Sequence, residues 1–210
     1  MVSRPRGMSS QDLIENLDTS ALLKAAMMCV DEWSEALGRL RNGMLPEICR
    51  FRNWGSDFNH NQSWTVSPIM LGRARQEILY KRSPVIAAFQ PLLTREVYCK
   101  TYIEFKRWLD LDEINYIAFS RLGPKGVLRA HRHMNHGCLK LHVLVEPLQK
   151  SGLMYHTVNS TGHQEKKIVH WQKKGDYRFF DDNYIHSAWN MSARNRDLVV
   201  IDFKKTALSL

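Results

Sequence analysis

His131 and His133 stand two residues apart in a stretch rich in Val and Leu, and side chains at i and i+2 of a strand point to the same face. Imidazole suits a borderline divalent metal, so both rings could look into one cavity, where a third ligand from a distant strand would be His186. The chain carries nine histidines, and a lone histidine on a strand is more often packed or solvated than ligating. His60, His136, His156, His163 and His170 show no spacing that lifts them above that default.

The residues around the histidines carry a second pattern. Ser120 leads through a Gly123-Pro124-Lys125-Gly126 turn to His131, and Cys138 through Lys140 to His142; apolar residues on both sides of such a turn are how two strands with a tight connection are written. Gly175 leads through Phe180-Asp181-Asp182 to His186 and Trp189, followed by Arg194, Arg196 and an apolar run to Phe203. Ser120 precedes His131 by eleven positions, His142 follows it by eleven, and Arg196 follows His186 by ten. With Trp171 four residues before Gly175, these intervals closely resemble the aspartyl/asparaginyl β-hydroxylase family of iron(II)- and 2-oxoglutarate-dependent oxygenases, over roughly the last ninety residues.

The resemblance implies a set of roles. His131 and His186 would hold iron(II), with positions left open for a chelating keto acid and O2. Arg196 would grip the far carboxylate of 2-oxoglutarate, a task for a planar bidentate guanidinium, and Ser120 and His142 would add hydrogen bonds to that co-substrate. The implied activity is hydroxylation of an unactivated C–H bond with release of succinate and CO2. His133 departs from the pattern, since family members place Asp or Gly there. A histidine could complete a three-histidine site or swing away and leave two protein ligands, and replacing a carboxylate by neutral imidazole removes a negative charge beside the metal. Lys140 lies two before His142 on the same strand face, to contact an acidic substrate group or to be solvated. Asp181 and Asp182 read as turn residues that fix the approach to His186.

These groups need a rigid frame. Strands begin near Ile114 and recur to Phe203, roughly eight in all, enough for a two-sheet jelly roll. Upstream, Leu22, Leu23, Ala26, Met27, Val30, Trp33, Leu37 and Leu40 recur at helical intervals before Gly43, after a capping-box pattern at Ser9 and Asp12. Pro91 can open a further helix through Trp108. The Asn-, Ser- and Trp-rich stretch from Pro46 to Pro68 reads as irregular, with Trp54 and Trp64 as candidates for a substrate lid. The expected fold is α+β and mainly β: a double-stranded β-helix, cupin-like, over 111–210, with helical support over 1–110, in a single domain.

At 210 residues and 44% hydrophobic content the chain can bury a sizeable core. The apolar run from Ala21 to Val30 contains Lys24 and is too short to span a bilayer, and Arg4 and Arg6 precede no secretory signal. Cys29, Cys49, Cys99 and Cys138 are scattered, which fits reduced thiols and a cytoplasmic location better than a disulfide framework. The formal charge of +9 is spread without a nucleic-acid motif; a solvated basic surface comes first and an anionic substrate second. The sequence therefore points to an iron(II)/2-oxoglutarate dioxygenase acting on a small-molecule or peptide substrate. The alternatives are a three-histidine zinc hydrolase, a non-catalytic cupin-like binding module, and a nucleic-acid-binding protein.

Overall fold

The computed structural model describes residues 19–41, 52–53, 59–60, 63–72, 95–133, 138–158 and 161–209. Helix α1 (Ser20–Arg41) is followed by strands β1 (Arg52–Asn53), β2 (Asn59–His60) and β3 (Trp64–Leu71), then helix α2 (Arg95–Asp110). Eight strands complete the chain: β4 (Ile114–Leu122), β5 (Gly126–His131), β6 (Cys138–Leu144), β7 (Ser151–Val158), β8 (Gln164–Trp171), β9 (Tyr177–Phe180), β10 (His186–Asn190) and β11 (Arg196–Lys204). They divide between two antiparallel sheets, β4-β11-β6-β9 and β5-β10-β7-β8, alternating except at the β7-β8 hairpin, which is the jelly-roll order. Strands β3 and β1 extend the first sheet beside β4, and β2 extends the second beside β5.

Alternation within the first sheet separates two cores. On one face Ile117, Phe119, Leu139, Leu141, Val143, Val199, Ile201 and Phe203 meet Leu22, Ala26, Val30, Trp33 and Leu37 of α1 and Phe105 and Trp108 of α2. Burying each large apolar side chain there stabilises the fold by about 1.5–3 kcal/mol, so the helices serve as a lid on the outside of the barrel. Trp33 Nε1 donates to Thr101 Oγ1 at 3.0 Å, joining the helices, and Trp108 Nε1 donates to the Ala207 carbonyl at 3.0 Å. On the other face Leu122, Leu144, Phe180 and Leu198 meet Leu128, Leu153, Tyr155, Trp171 and Ala188 of the second sheet. This inner core fills one end of the barrel and leaves the other to polar residues.

The expected turn at 123–126 is tight: Gly126 N donates to the Gly123 carbonyl at 3.0 Å, with Lys125 at φ 54°, as a type II turn with Pro at its first corner requires. Asn190 fastens this turn to the next loop, its Nδ2 donating to the carbonyls of Leu122, Gly123 and Arg194.

Two expectations upstream are corrected. The stretch read as irregular up to Pro68 contains β3, which pairs with β4 from Trp64↔Leu122 to Leu71↔Tyr116. Its Pro68 sits at a register shift, where a missing N–H is tolerated. Trp64 is no lid: its Nε1 donates to Ser120 Oγ at 2.9 Å, and the ring packs on the inner core. Helix α2 is described from Arg95 to Asp110, through the expected Trp108. The capping box at Ser9 and Asp12, Pro91 and Trp54 lie outside the described residues.

Candidate functional site

His186 pairs directly with His131 across β10 and β5, and the register then slips, with Ala188 opposite Leu128. Three residues of β5 thus span two of β10, a β-bulge at Arg129 and Ala130. Strict alternation from the buried Leu128 would turn His131 away from the barrel; the extra residue restores it to the inner side. His133 follows two residues on, its backbone N donating to the Asp182 carbonyl at 2.8 Å. One ligand atom from each of His131, His133 and His186 lies within 4.8 Å of the others. Nitrogens about 2.1 Å from one ion, at the angles of octahedral or tetrahedral coordination, stand about 3.0–3.4 Å apart, so rings as far apart as 4.8 Å would close by about 1.4–1.8 Å to share one ion.

The tautomers suit ligation. His131 Nδ1 faces the Arg129 carbonyl at 2.6 Å and His186 Nδ1 faces the Tyr184 carbonyl at 2.9 Å. A carbonyl only accepts, so each Nδ1 carries the proton and each Nε2 keeps its lone pair, the usual way a second partner orients a ligating imidazole. Burial pushes all three rings toward the neutral form: His186 down to about 3, with His131 adding to the effect, and His131 and His133 below the ordinary histidine range. The neutral form is the one that binds metal.

Deeper in the barrel a second set of polar atoms lacks partners among the described residues. Arg196 is 2% exposed; one Nη donates to the Gly152 carbonyl at 3.2 Å while Nε has no acceptor. The adjacent Asp197 is bound to Arg121 at 2.7 Å, and its charge favours that of Arg196. Burial holds the guanidinium down to about 10, still charged at neutral pH. Ser151, next to Gly152, pairs in register with Trp171, and Ser151 Oγ and Trp171 Nε1 are both buried without a partner. His142 Nδ1 is sealed and unpaired too, its ring 6.4 Å from that of Trp171 and 4.8 Å from that of Phe180. Burial, then the charge of Arg196, hold His142 well below the usual histidine range. Buried polar groups are almost always satisfied, so four orphaned atoms inside one barrel mark a place for a polar, anionic guest.

Of the residues singled out in the sequence, His131, His133 and His186 come together at the rim, and Ser120, His142 and Arg196 carry inward positions of the first sheet. Lys140 is corrected. It is 6% exposed and bound to Asp202, to Asp182 at 3.3 Å and to the Tyr116 hydroxyl at 2.9 Å, so it is neither solvated nor presented to a substrate. Burial opposes its charge, but Tyr116, Asp202 and Asp182 outweigh burial and hold its pKa above the ordinary lysine value. Asp181 is the expected turn residue, accepting from Asn183 N at 3.1 Å and from Lys205 at 2.9 Å. Asp182 lies in the same turn, with its side chain fully buried and facing Lys140, and burial raises its pKa. Ser151 was missed because a serine opening a strand is unremarkable; Trp171 was noticed only for its spacing. A small pocket, lined by Arg132, His156, Gln164, Asn183, Tyr184 and Ile185, includes chain neighbours of the three histidines and none of their rings.

The model of one protein family, aspartyl/asparaginyl beta-hydroxylase, matches residues 95–206. An ornithine lipid ester-linked acyl 2-hydroxylase from Rhizobium tropici is 35% identical over 90 residues, covering 41% of this chain and 28% of that protein. Structural likenesses are looser: a predicted oxalate decarboxylase from Thermotoga maritima (18% identity, TM-score 0.31, 45% of this chain and 70% of that one) and the polyketide cyclase RemF from Streptomyces resistomycificus (10% identity, TM-score 0.36, 74% and 73%).

Proposed function

Since the chain belongs to the aspartyl/asparaginyl β-hydroxylase family, we propose that it is an iron(II)- and 2-oxoglutarate-dependent hydroxylase. The observation that carries the proposal is the pairing of three neutral imidazoles at the barrel rim with a buried arginine whose Nε has no partner among the described residues. His131, His186 and His133 would hold the iron. Arg196, with Trp171, Ser151 and His142, would hold the anionic co-substrate, replacing the missing partners of four buried polar atoms. With O2 and 2-oxoglutarate bound, iron supplies the oxidising power for C–H hydroxylation, with succinate and CO2 as the other products.

The protein's own residues do the rest. The carbonyls of Arg129 and Tyr184 fix the tautomers of His131 and His186. The apolar inner core keeps water from the Arg196 end, where a charge-assisted bond is worth more than in water. Lys140, Asp202 and Asp182 form a buried charged cluster near His133, and Asp182 brings a negative charge to the side of the site where the family places Asp or Gly at the position of His133. Arg132, exposed at the pocket rim, offers a cation to an anionic group of the substrate.

The chain covers 28% of the length of the Rhizobium relative, and its own substrate is a small molecule, a peptide side chain or, by analogy with that relative's name, a lipid acyl chain. A three-histidine zinc hydrolase would share the rim but has no use for the orphaned donors around Arg196. Anaerobic titration of the metal-free protein with iron(II) and then 2-oxoglutarate, followed by visible charge-transfer absorption and calorimetry, tests the proposal. Saturable 2-oxoglutarate binding that needs iron and is lost in Arg196→Met supports it; tight zinc binding with no affinity for 2-oxoglutarate would favour the hydrolase.

A further inference from the structure

The two sheets differ in what covers their outer faces. The first lies under α1 and α2. The outward positions of the second are fixed by its registers: Ile185, whose carbonyl accepts from His156 N at 2.8 Å, lies beside His156, itself opposite Lys166; Ser187 pairs with Met154, opposite Ile168; Trp189 pairs with Gly152, opposite His170. Val127, paired with Trp189, and Arg129 complete the face on β5. Ile168 is 55% and Ile185 45% exposed. Trp189 lies flat across the sheet, so that a Cβ on Gly152 would stand 2.3 Å from its ring, and its ring is 5.8 Å from that of His170.

The composition of this face is one-sided. It sets Ile168, Ile185, Met154, Val127 and Trp189 among Arg129, Lys166, His156 and His170, and none of its outward positions on the described strands is Asp or Glu. Glu165, the carboxylate on β8, pairs with Thr157 and so stands on the opposite side of the strand from Lys166 and Ile168. Aliphatic side chains with an amphipathic Trp, flanked by the cations Arg129 and Lys166 and with no anion at the outward positions, match the interfacial region of an anionic bilayer: the Trp and Ile enter the headgroup boundary while Lys and Arg meet lipid phosphates. A nucleic acid would match the cations but leave the exposed isoleucines in water.

We propose that the outer face of the β5-β10-β7-β8 sheet docks on an anionic lipid surface. His156 and Ile185 belong both to this face and to a small pocket at the end of the sheet that carries the histidines, so docking would bring that end of the barrel to the membrane. The docking itself does not depend on the metal or on the hydroxylase assignment.

The test is co-sedimentation of the metal-free full chain with vesicles of phosphatidylcholine alone and of phosphatidylcholine with phosphatidylglycerol. Binding is expected to the anionic vesicles and not to the neutral ones, weakening as salt rises. One cation near such a surface contributes about a fivefold change in affinity, so Lys166→Glu with Ile168→Glu should lower vesicle affinity at least about tenfold. Ile103→Glu, on the exposed side of α2 and 68% exposed, should leave it unchanged. Unaltered melting of each variant shows that the fold is intact, and Ile168→Ser alone gives a milder variant if the double one fails to fold. Equal loss with Ile103→Glu, no binding to anionic vesicles, equal binding to neutral ones, tighter binding to DNA than to lipid, or burial of the face in a dimer in solution would each overturn the proposal.

Discussion

His131 and His186 each donate one ring proton to a carbonyl two residues upstream, at 2.6 and 2.9 Å, and so present the other nitrogen to the same point. Replacing either by Ala should remove iron binding and lower turnover by two orders of magnitude or more while circular dichroism stays unchanged. His133→Ala should weaken iron binding roughly tenfold, and His133→Asp should recover much of it; tight metal binding in His133→Ala would make this a two-histidine site. Arg196→Met should raise the 2-oxoglutarate requirement about thirtyfold or more, since losing a buried charge-assisted partner costs on the order of 2 kcal/mol, and Trp171→Phe should raise it severalfold by direct binding measurements. Lys140→Met separates two roles. It leaves Asp202 and Asp182 buried without a cation, which typically costs about 3–5 kcal/mol, so urea unfolding should shift strongly; loss of substrate affinity without loss of stability would return Lys140 to the substrate. At this scale the sequence was informative about the histidines and Arg196, whose spacing is distinctive. It was silent on whether Lys140 was buried, because a lysine's environment depends on Asp202, 62 residues away.

The bulge on β5 is the element that decides which way His131 points. Deleting Ala130 would leave His131 two residues after Leu128, so regular pairing with β10 would keep its ring on the inner side; the shortened chain should fold and still bind iron at the triad, and loss of iron binding in a folded chain would show that the bulge does more than offset the extra residue. Gly152→Ala tests the second sheet, since the added Cβ would meet Trp189 at 2.3 Å and the Val169 carbonyl at 2.6 Å. Overpacking of this kind costs about 1–3 kcal/mol, to be read as a lower denaturation midpoint. The eight strands from Ile114 to Lys204 and helix α1 were legible because their periodicities are clean. The bulge was not, since one extra residue leaves the apolar pattern of so short a strand unchanged. Strand β3 was hidden by Pro68 and its polar neighbours; its pairing with β4 and the Trp64–Ser120 bond are tertiary facts.

In the whole molecule, the helices on one sheet free the barrel interior to hold polar groups at one end without losing its core at the other. Those groups make the metal-free fold sensitive to acid. His186 is held down to about 3 when folded and takes its proton near about 6.5 when unfolded. Its contribution is therefore complete above about pH 6.5 and is lost as pH falls toward 3. The melting temperature of the metal-free protein should fall across that window, and less steeply in His186→Asn; an equal slope in both would place the acid sensitivity elsewhere. The most direct measurement of the central claim is succinate formed from 2-oxoglutarate by the iron-loaded chain, with and without oxygen. The proposed function predicts succinate only when iron(II), 2-oxoglutarate and oxygen are all present, and its loss in both His186→Ala and Arg196→Met. Succinate formed equally without oxygen, or equally by those variants, would contradict it.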